Sequence, residues 1–170
     1  MNHLEKIIQR TEQRVETLKS TFSRENLQSN GKEYKKRKFV ETLDKSSEEQ
    51  RNSVVAEIKK ASPSKGIIRE DFDPIWTAKQ YEKGGATCLS ILTEPDFFLG
   101  SLDYLLEIRK ICHLPILRKD FIIDEIQILE SKAFGADCIL LIASILDINK
   151  IKDFYQIAKE NELDLSLIHI

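Results

Sequence analysis

The chain has 170 residues, 41% hydrophobic and 32% charged, with a formal net charge of −2, a balance that suits a soluble globular protein. That charge gives no electrostatic case for a nucleic-acid partner or an anionic membrane. The start, Met1-Asn2-His3-Leu4-Glu5-Lys6, has no signal-peptide apolar core, and no apolar run approaches membrane-spanning length.

The first fifty residues read as helices. Leu4, Ile7, Ile8, Val15 and Leu18 give a helical stripe, and Asn30-Gly31 marks a break. Lys32, Lys35, Lys36, Arg37 and Lys38 form a basic run around Tyr34. Glu33, Glu41 and Asp44 lie close enough to compensate it, so it reads as a solvated helix face rather than an RNA contact.

The segment from Val54 to Gly66 is the most informative in the chain. It reads as a β-strand running into a polar Ser-Pro-Ser-Lys-Gly turn. Side chains alternate along a strand, so Val55, Glu57 and Lys59 share one face, and Val54, Ala56 and Ile58 share the other. An acid and an amine therefore leave the strand end side by side. In parallel α/β proteins the carboxyl ends of strands bind ligands. On these residues alone, a ligand site and a surface Glu–Lys pair on a sheet edge both stay open.

Asp73-Pro74 opens a helix that Gly84-Gly85 closes. A strand-like run, 86–93, follows. Ser101 opens a helix over 102–112, with Leu105, Ile108 and Ile111 at helical spacing. The next apolar run is 114–121. Within it Leu117, Lys119 and Phe121 share a face, so Lys119 stands between two large apolar side chains. A lysine pointing into a closed barrel loses hydration and becomes a usable general acid; the other reading is a snorkelling lysine on a sheet edge. Asp124 opens a helix ended by Gly135, and 136–143 is again strand-like. Asp147 opens a last helix that turns Ile148, Ile151, Phe154, Tyr155 and Ala158 toward a core. The final stretch, 163–170, looks like the start of a fifth strand. This β-α alternation with short connections predicts parallel strands with crossover helices, the sheet covered on its outer face.

Cys88, Cys112 and Cys138 are an odd count without Cys-x-x-Cys spacing, and His3, His113 and His169 are scattered. Cys88 and Cys138, within strands, are expected to be small buried apolar residues in a reducing cytoplasm, with no bound metal.

Five blocks in register carry a resemblance to a known family. They are Glu57-Ile58-Lys59-Lys60-Ala61-Ser62-Pro63-Ser64-Lys65-Gly66, then Leu89-Ser90-Ile91-Leu92-Thr93-Glu94, then Phe97-Phe98-Leu99-Gly100-Ser101. Pro115-Ile116-Leu117-Arg118-Lys119-Asp120-Phe121-Ile122 and Gly135-Ala136-Asp137-Cys138-Ile139-Leu140-Leu141-Ile142 complete the set. In this order and spacing, from about residue 40 to about residue 162, the chain resembles indole-3-glycerol-phosphate synthase.

The resemblance implies an α/β protein of the (β/α)8 TIM barrel family, which usually needs about 250 residues. Here the expectation is a barrel truncated to about four and a half βα units. Residues 1–50 would be an N-terminal helical extension, and 51–170 a partial barrel with strands 1–4 and the start of strand 5. It also implies a carbon–carbon lyase of tryptophan biosynthesis. The substrate would be 1-(2-carboxyphenylamino)-1-deoxyribulose 5-phosphate, converted to indole-3-glycerol phosphate, CO2 and water with no metal or redox cofactor. By the same resemblance Lys119 is the general acid, Lys59 assists and binds an anionic substrate group, and Glu57 holds the amines. Ser62, Pro63 and Ser64 line the substrate site, and Phe98, Phe121 and Leu140 form its apolar lining.

The family expects an acidic general base on the fifth strand; here Ile168 or His169 falls at that position. The 170-residue chain is therefore expected to be inactive alone and to self-associate through open sheet edges. Two alternatives are a catalytically silent half-barrel acting by association, and another phosphate-binding barrel lyase or isomerase.

Overall fold

A computed structural model describes residues 2–31, 33–50 and 52–169. Three helices come first: α1 (His3–Thr21), α2 (Arg24–Gly31) and α3 (Phe39–Glu48). Strand β1 (Val55–Ile58) leads into a small hairpin of β2 (Ala61–Ser62) and β3 (Gly66–Ile67). Then helices and strands alternate: α4 (Pro74–Lys83), β4 (Cys88–Leu92), α5 (Asp103–Ile111), β5 (Ile116–Lys119), α6 (Glu125–Ala133), β6 (Cys138–Ile142), a 3-10 turn (Ala143–Ile145), α7 (Ile148–Glu160) and β7 (Asp164–Ile168).

The helices start where the sequence supplies caps. Asp73 accepts the Trp76 N–H at 2.9 Å with Pro74 at the first helical position. Asp124 and Gln127 form a reciprocal capping box on α6. Asp147 caps α7 through the N–H groups of Asn149 and Lys150, both at 2.9 Å. Gly135 ends α6 at φ +81°, a conformation that strains any residue with a Cβ, and a Cβ there would also meet the Arg109 side chain at 2.6 Å.

One five-stranded parallel sheet results, in the order β1-β4-β5-β6-β7. With its crossover helices it is the βα progression of a TIM barrel. Register assigns its two faces. Val55, Cys88, Leu117, Cys138, Leu140, Ile142 and Ile168 share the face away from the crossover helices. Ile58, Leu89, Ile91, Ile116, Ile139 and Leu141 share the other, buried against α4, α5 and α7. Each of these side chains contributes about 1.5–3 kcal/mol by leaving water.

The N-terminal helices pack where the sheet needs cover. Phe39 and Leu43 of α3 close over the amino-terminal end of the first face. Val15 of α1 and Leu27 of α2 pack on Ile126, Leu129 and Ala133, so α6 is buried on both sides. Lys19–Asp124 at 2.6 Å and Arg24–Glu125 at 2.5 Å pin this layer at the start of α6.

Several sequence expectations are corrected. The strands are shorter than read, 88–92, 116–119 and 138–142, because their flanking residues turn into loops. Ile148 and Tyr155 are exposed. Ile148 lies in the first turn of α7, and Tyr155 is rotated about 100° from the buried Phe154. The basic run is not a helix face. Residues 33–38 form a turn and an extended link in which the Arg37 guanidinium meets the carbonyls of Cys112, Leu114 and Arg109 at 2.8–3.1 Å. Lys32 lies outside the described residues, as does Ile170 at the end of the expected fifth strand. On the face away from the crossover helices, open sheet edges would leave Val55, Leu117, Leu140 and Ile142 uncovered; Val55 is 43% exposed, but Leu117, Leu140 and Ile142 are buried at 5%, 3% and 2%. Cover from α3 and the curl of the sheet account for that difference.

Candidate active site

Glu57 is the last-but-one residue of β1, and Lys59 follows the strand's end. Lys119 ends β5. β4 runs between those strands, yet all three side chains meet. Lys59 Nζ lies 2.5 Å from Glu57 Oε1, and Lys119 Nζ lies 3.9 Å from Glu57 Oε2. Two cations thus bracket one carboxylate at the carboxyl end of the sheet. Leu92, paired with Lys119 in the intervening strand, is buried. The three charged side chains are 30–34% exposed, open enough for a ligand to reach them. The Tyr81 hydroxyl donates to the Glu57 carbonyl at 3.2 Å and fixes the backbone beneath the carboxylate.

The Ser62–Gly66 segment, read as a polar turn, is the turn of the β2–β3 hairpin. Ser62 pairs with Gly66, and the Lys65 N–H reaches the Ser62 carbonyl at 3.2 Å. Ser62 Oγ and Ser64 Oγ are 3.5 Å apart. Pro63 fits the turn because its fixed φ favours it. The hairpin is tied to the next loop, since the Ala61 N–H donates to the Phe98 carbonyl at 3.2 Å. Phe98 and Phe121 face each other with ring centroids 6.1 Å apart. The structure therefore gathers Glu57, Lys59 and Lys119, sets Phe98 beside Phe121, and links Phe98 to the Ser62–Ser64 turn. Leu140 is different. It is buried, packed among Cys88, Leu117 and Cys138 on the sheet face that also carries Glu57 and Lys119.

A second set of residues was not singled out by the sequence. Arg118, next to Lys119 but on the opposite face, is buried with Asp120 at 3.0 Å and Glu130 at 2.9 Å. The Thr93 hydroxyl donates to Asp120 at 2.6 Å, and the Phe121 N–H donates to the same carboxylate at 2.8 Å. Burial pushes the Asp120 carboxyl up, but Arg118, Thr93 and the Phe121 N–H outweigh it and hold it below the usual carboxylate range. Glu94, fully buried, accepts from the N–H groups of Phe97 at 2.7 Å and Phe98 at 3.1 Å, with Arg14 of α1 at 3.1 Å. The only sequence signal for this group was acids placed directly after strand ends, at Glu94 and Asp120.

Among the described residues no helix is long and apolar enough to cross a membrane. A family model described as indole-3-glycerol phosphate synthase matches residues 4–170. Among curated relatives, the indole-3-glycerol phosphate synthase of Desulfotalea psychrophila is 54% identical over 118 residues, covering 69% of this chain and 45% of the relative. That of Laribacter hongkongensis is 52% identical, covering 73% of this chain and 47% of its own. That of Campylobacter jejuni is 55% identical, covering 65% and 43%. The chain spans less than half the length of these relatives.

Proposed function

The chain belongs to the indole-3-glycerol phosphate synthase family, and from that premise we propose that its gene product closes the indole ring. The substrate is 1-(2-carboxyphenylamino)-1-deoxyribulose 5-phosphate. The products are indole-3-glycerol phosphate, CO2 and water, which makes the protein a carboxy-lyase. The observation that carries this reading is Glu57 bracketed by Lys59 and Lys119 at the carboxyl end of the sheet.

The chemistry follows from those groups. The aryl carbon attacks the ketone carbon, and negative charge builds on the ketone oxygen. The Lys119 ammonium donates a proton there as general acid. Carbon dioxide then leaves from the ring carbon that made the attack, its bonding electrons returning to the ring and restoring aromaticity. The new hydroxyl and one hydrogen of the adjacent ring CH2 then leave together as water, which forms the carbon–carbon double bond of the pyrrole ring. The Lys59 ammonium holds the substrate carboxylate, and Glu57 keeps both amines in place between turnovers. Fixing the aryl ring near the ketone is an entropic gain available before any bond forms. Phe98 and Phe121 supply the wall that does so, with Ser62, Pro63 and Ser64 closing the neighbouring side. Leu140 forms the floor beneath them.

A place in the cytoplasm fits three free, buried thiols, Cys88, Cys112 and Cys138. The partner of this site is a small phosphorylated molecule; the net charge of −2 favours neither nucleic acid nor membrane. The test is direct. The intact gene product, mixed with the carboxyphenylamino substrate in chelator-treated buffer, should give the rising fluorescence of an indole. A folded protein that forms no indole product overturns the reading.

A further inference from the structure

The loop between β4 and α5 is built around one buried carboxylate. Glu94 is fully buried. Its two oxygens accept the backbone N–H groups of Asp96, Phe97 and Phe98 at 3.2, 2.7 and 3.1 Å, while its own carbonyl accepts the Gly100 N–H at 2.8 Å. The loop is thus closed on itself at both ends of Glu94. Leu99 takes a left-handed φ of +51°, and a Cβ on Gly100 would lie 2.3 Å from the Leu92 carbonyl oxygen. Such a path is costly for the backbone and persists only where neighbours over-determine it. The root of the loop is tied to the site, since the Thr93 N–H donates to the Lys119 carbonyl at 3.1 Å. Its far side carries Phe98, whose carbonyl holds the Ala61 N–H of the serine hairpin.

A buried carboxylate needs a counter-charge. Here it comes from outside the βα units: Arg14 of α1 lies 3.1 Å from Glu94, contacts Asp96 as well, and is oriented by Thr11 at 2.9 Å. We propose that Glu94 and Arg14 are positioning residues which hold Phe98 in the aryl wall, so that the N-terminal helix α1 sets how the substrate ring is held. This rests on the reading of the site as an aryl-substrate site. Neither residue touches the reacting atoms. Their effect reaches the substrate through the backbone at Phe97 and Phe98.

The test uses the intact gene product and three variants, Arg14→Met, Arg14→Lys and Glu94→Gln. Arg14→Lys keeps the counter-charge and with it the fold, and urea unfolding of Arg14→Met and Glu94→Gln establishes that each is folded before its exchange and kinetics are read. Two quantities are read: amide hydrogen exchange at Phe97 and Phe98, and KM against kcat for the carboxyphenylamino substrate. Arg14→Met should speed exchange at these two amides, and at Asp96, and raise KM about tenfold with kcat changed less than about threefold, the pattern of lost ground-state positioning. Arg14→Lys should restore both. Unchanged exchange at Phe97 and Phe98 overturns the proposal, as does a fall in kcat with KM unmoved. Exchange needs no turnover. An inactive parent therefore defeats the reading of the function, while the exchange result still decides whether Arg14 and Glu94 hold the loop.

Discussion

Glu57 and Lys119 sit on strands that are not neighbours, and their side chains still approach within 3.9 Å. β4 separates them, so about 10 Å of sheet lies between their backbones. Only a curled sheet lets both side chains converge above Leu92. Lys59 completes the cluster at 2.5 Å from the other carboxylate oxygen. Glu57 is thus the shared anchor of both amines.

That arrangement predicts the effect of Glu57→Gln. The amide keeps the shape and removes the charge, so neither ammonium is held. Misplacing a catalytic group by about 1 Å costs roughly 10²-fold in rate, and kcat should fall by that order. Steady-state assays of the intact gene product check this; an unchanged kcat would mean that Glu57 plays no part in placing the amines.

Stability should depend on a different carboxylate. Asp137, fully buried at the start of β6, accepts from the Arg37 N–H at 2.7 Å, from Arg109 at 2.9 Å and from the Ile116 N–H at 2.9 Å. It ties α5, β5 and the link after α2 to one point. Asp137→Ala leaves the buried Arg109 without its counter-charge, and breaking such a pair costs about 3–5 kcal/mol. Urea unfolding measures it.

Alkaline pH should loosen the fold through Cys88. Burial pushes its thiol up to about 12, with Asp137 and Asp164 adding to the shift. In the unfolded chain a thiol ionises near about 8.5. The folded state therefore keeps a proton that the unfolded state loses. Stability is full below the unfolded value and is lost as pH rises from there to about 12. Urea midpoints measured from neutral pH upward should fall across this window, and the fall should be smaller in Cys88→Ala.

The 170-residue chain on its own should associate. β1 and β7 are the outer strands of the sheet, with Val54, Val55 and Leu167 exposed along them. Unpaired strand edges beside apolar side chains recruit other chains. Sedimentation of this chain at low micromolar concentration should show oligomers. The same preparation should form no indole product, because among the described residues the carboxyl end of β7 carries Ile168 and His169 rather than a carboxylate. A monodisperse monomer that turns over substrate contradicts both expectations.

Much of this was legible in the sequence because periodicity and caps are local. Asp73, Asp124 and Asp147 announced their helices, and the alternation of Val55, Glu57 and Lys59 put the acid and amine on one face. The convergence of Glu57 with Lys119 followed from strand parity within a parallel sheet. What stayed hidden was long-range. Glu94 looks like any acid after a strand until Arg14, eighty residues earlier, is folded against it. The basic run looked solvated because charge composition does not reveal that Arg37 would find three carbonyls. Leu140 carried a site resemblance, and its burial among Cys88 and Leu117 is likewise set by packing between strands.

The central claim is that Lys119 delivers the proton during ring closure. Lys119→Met keeps the length and apolar stem of the side chain and removes the acid. Single-turnover and steady-state measurements on the intact gene product should show kcat lowered by roughly 10²–10⁴, the range for losing one general acid, with KM changed far less. A Lys119→Met protein that keeps half of the parent's single-turnover rate would contradict the account.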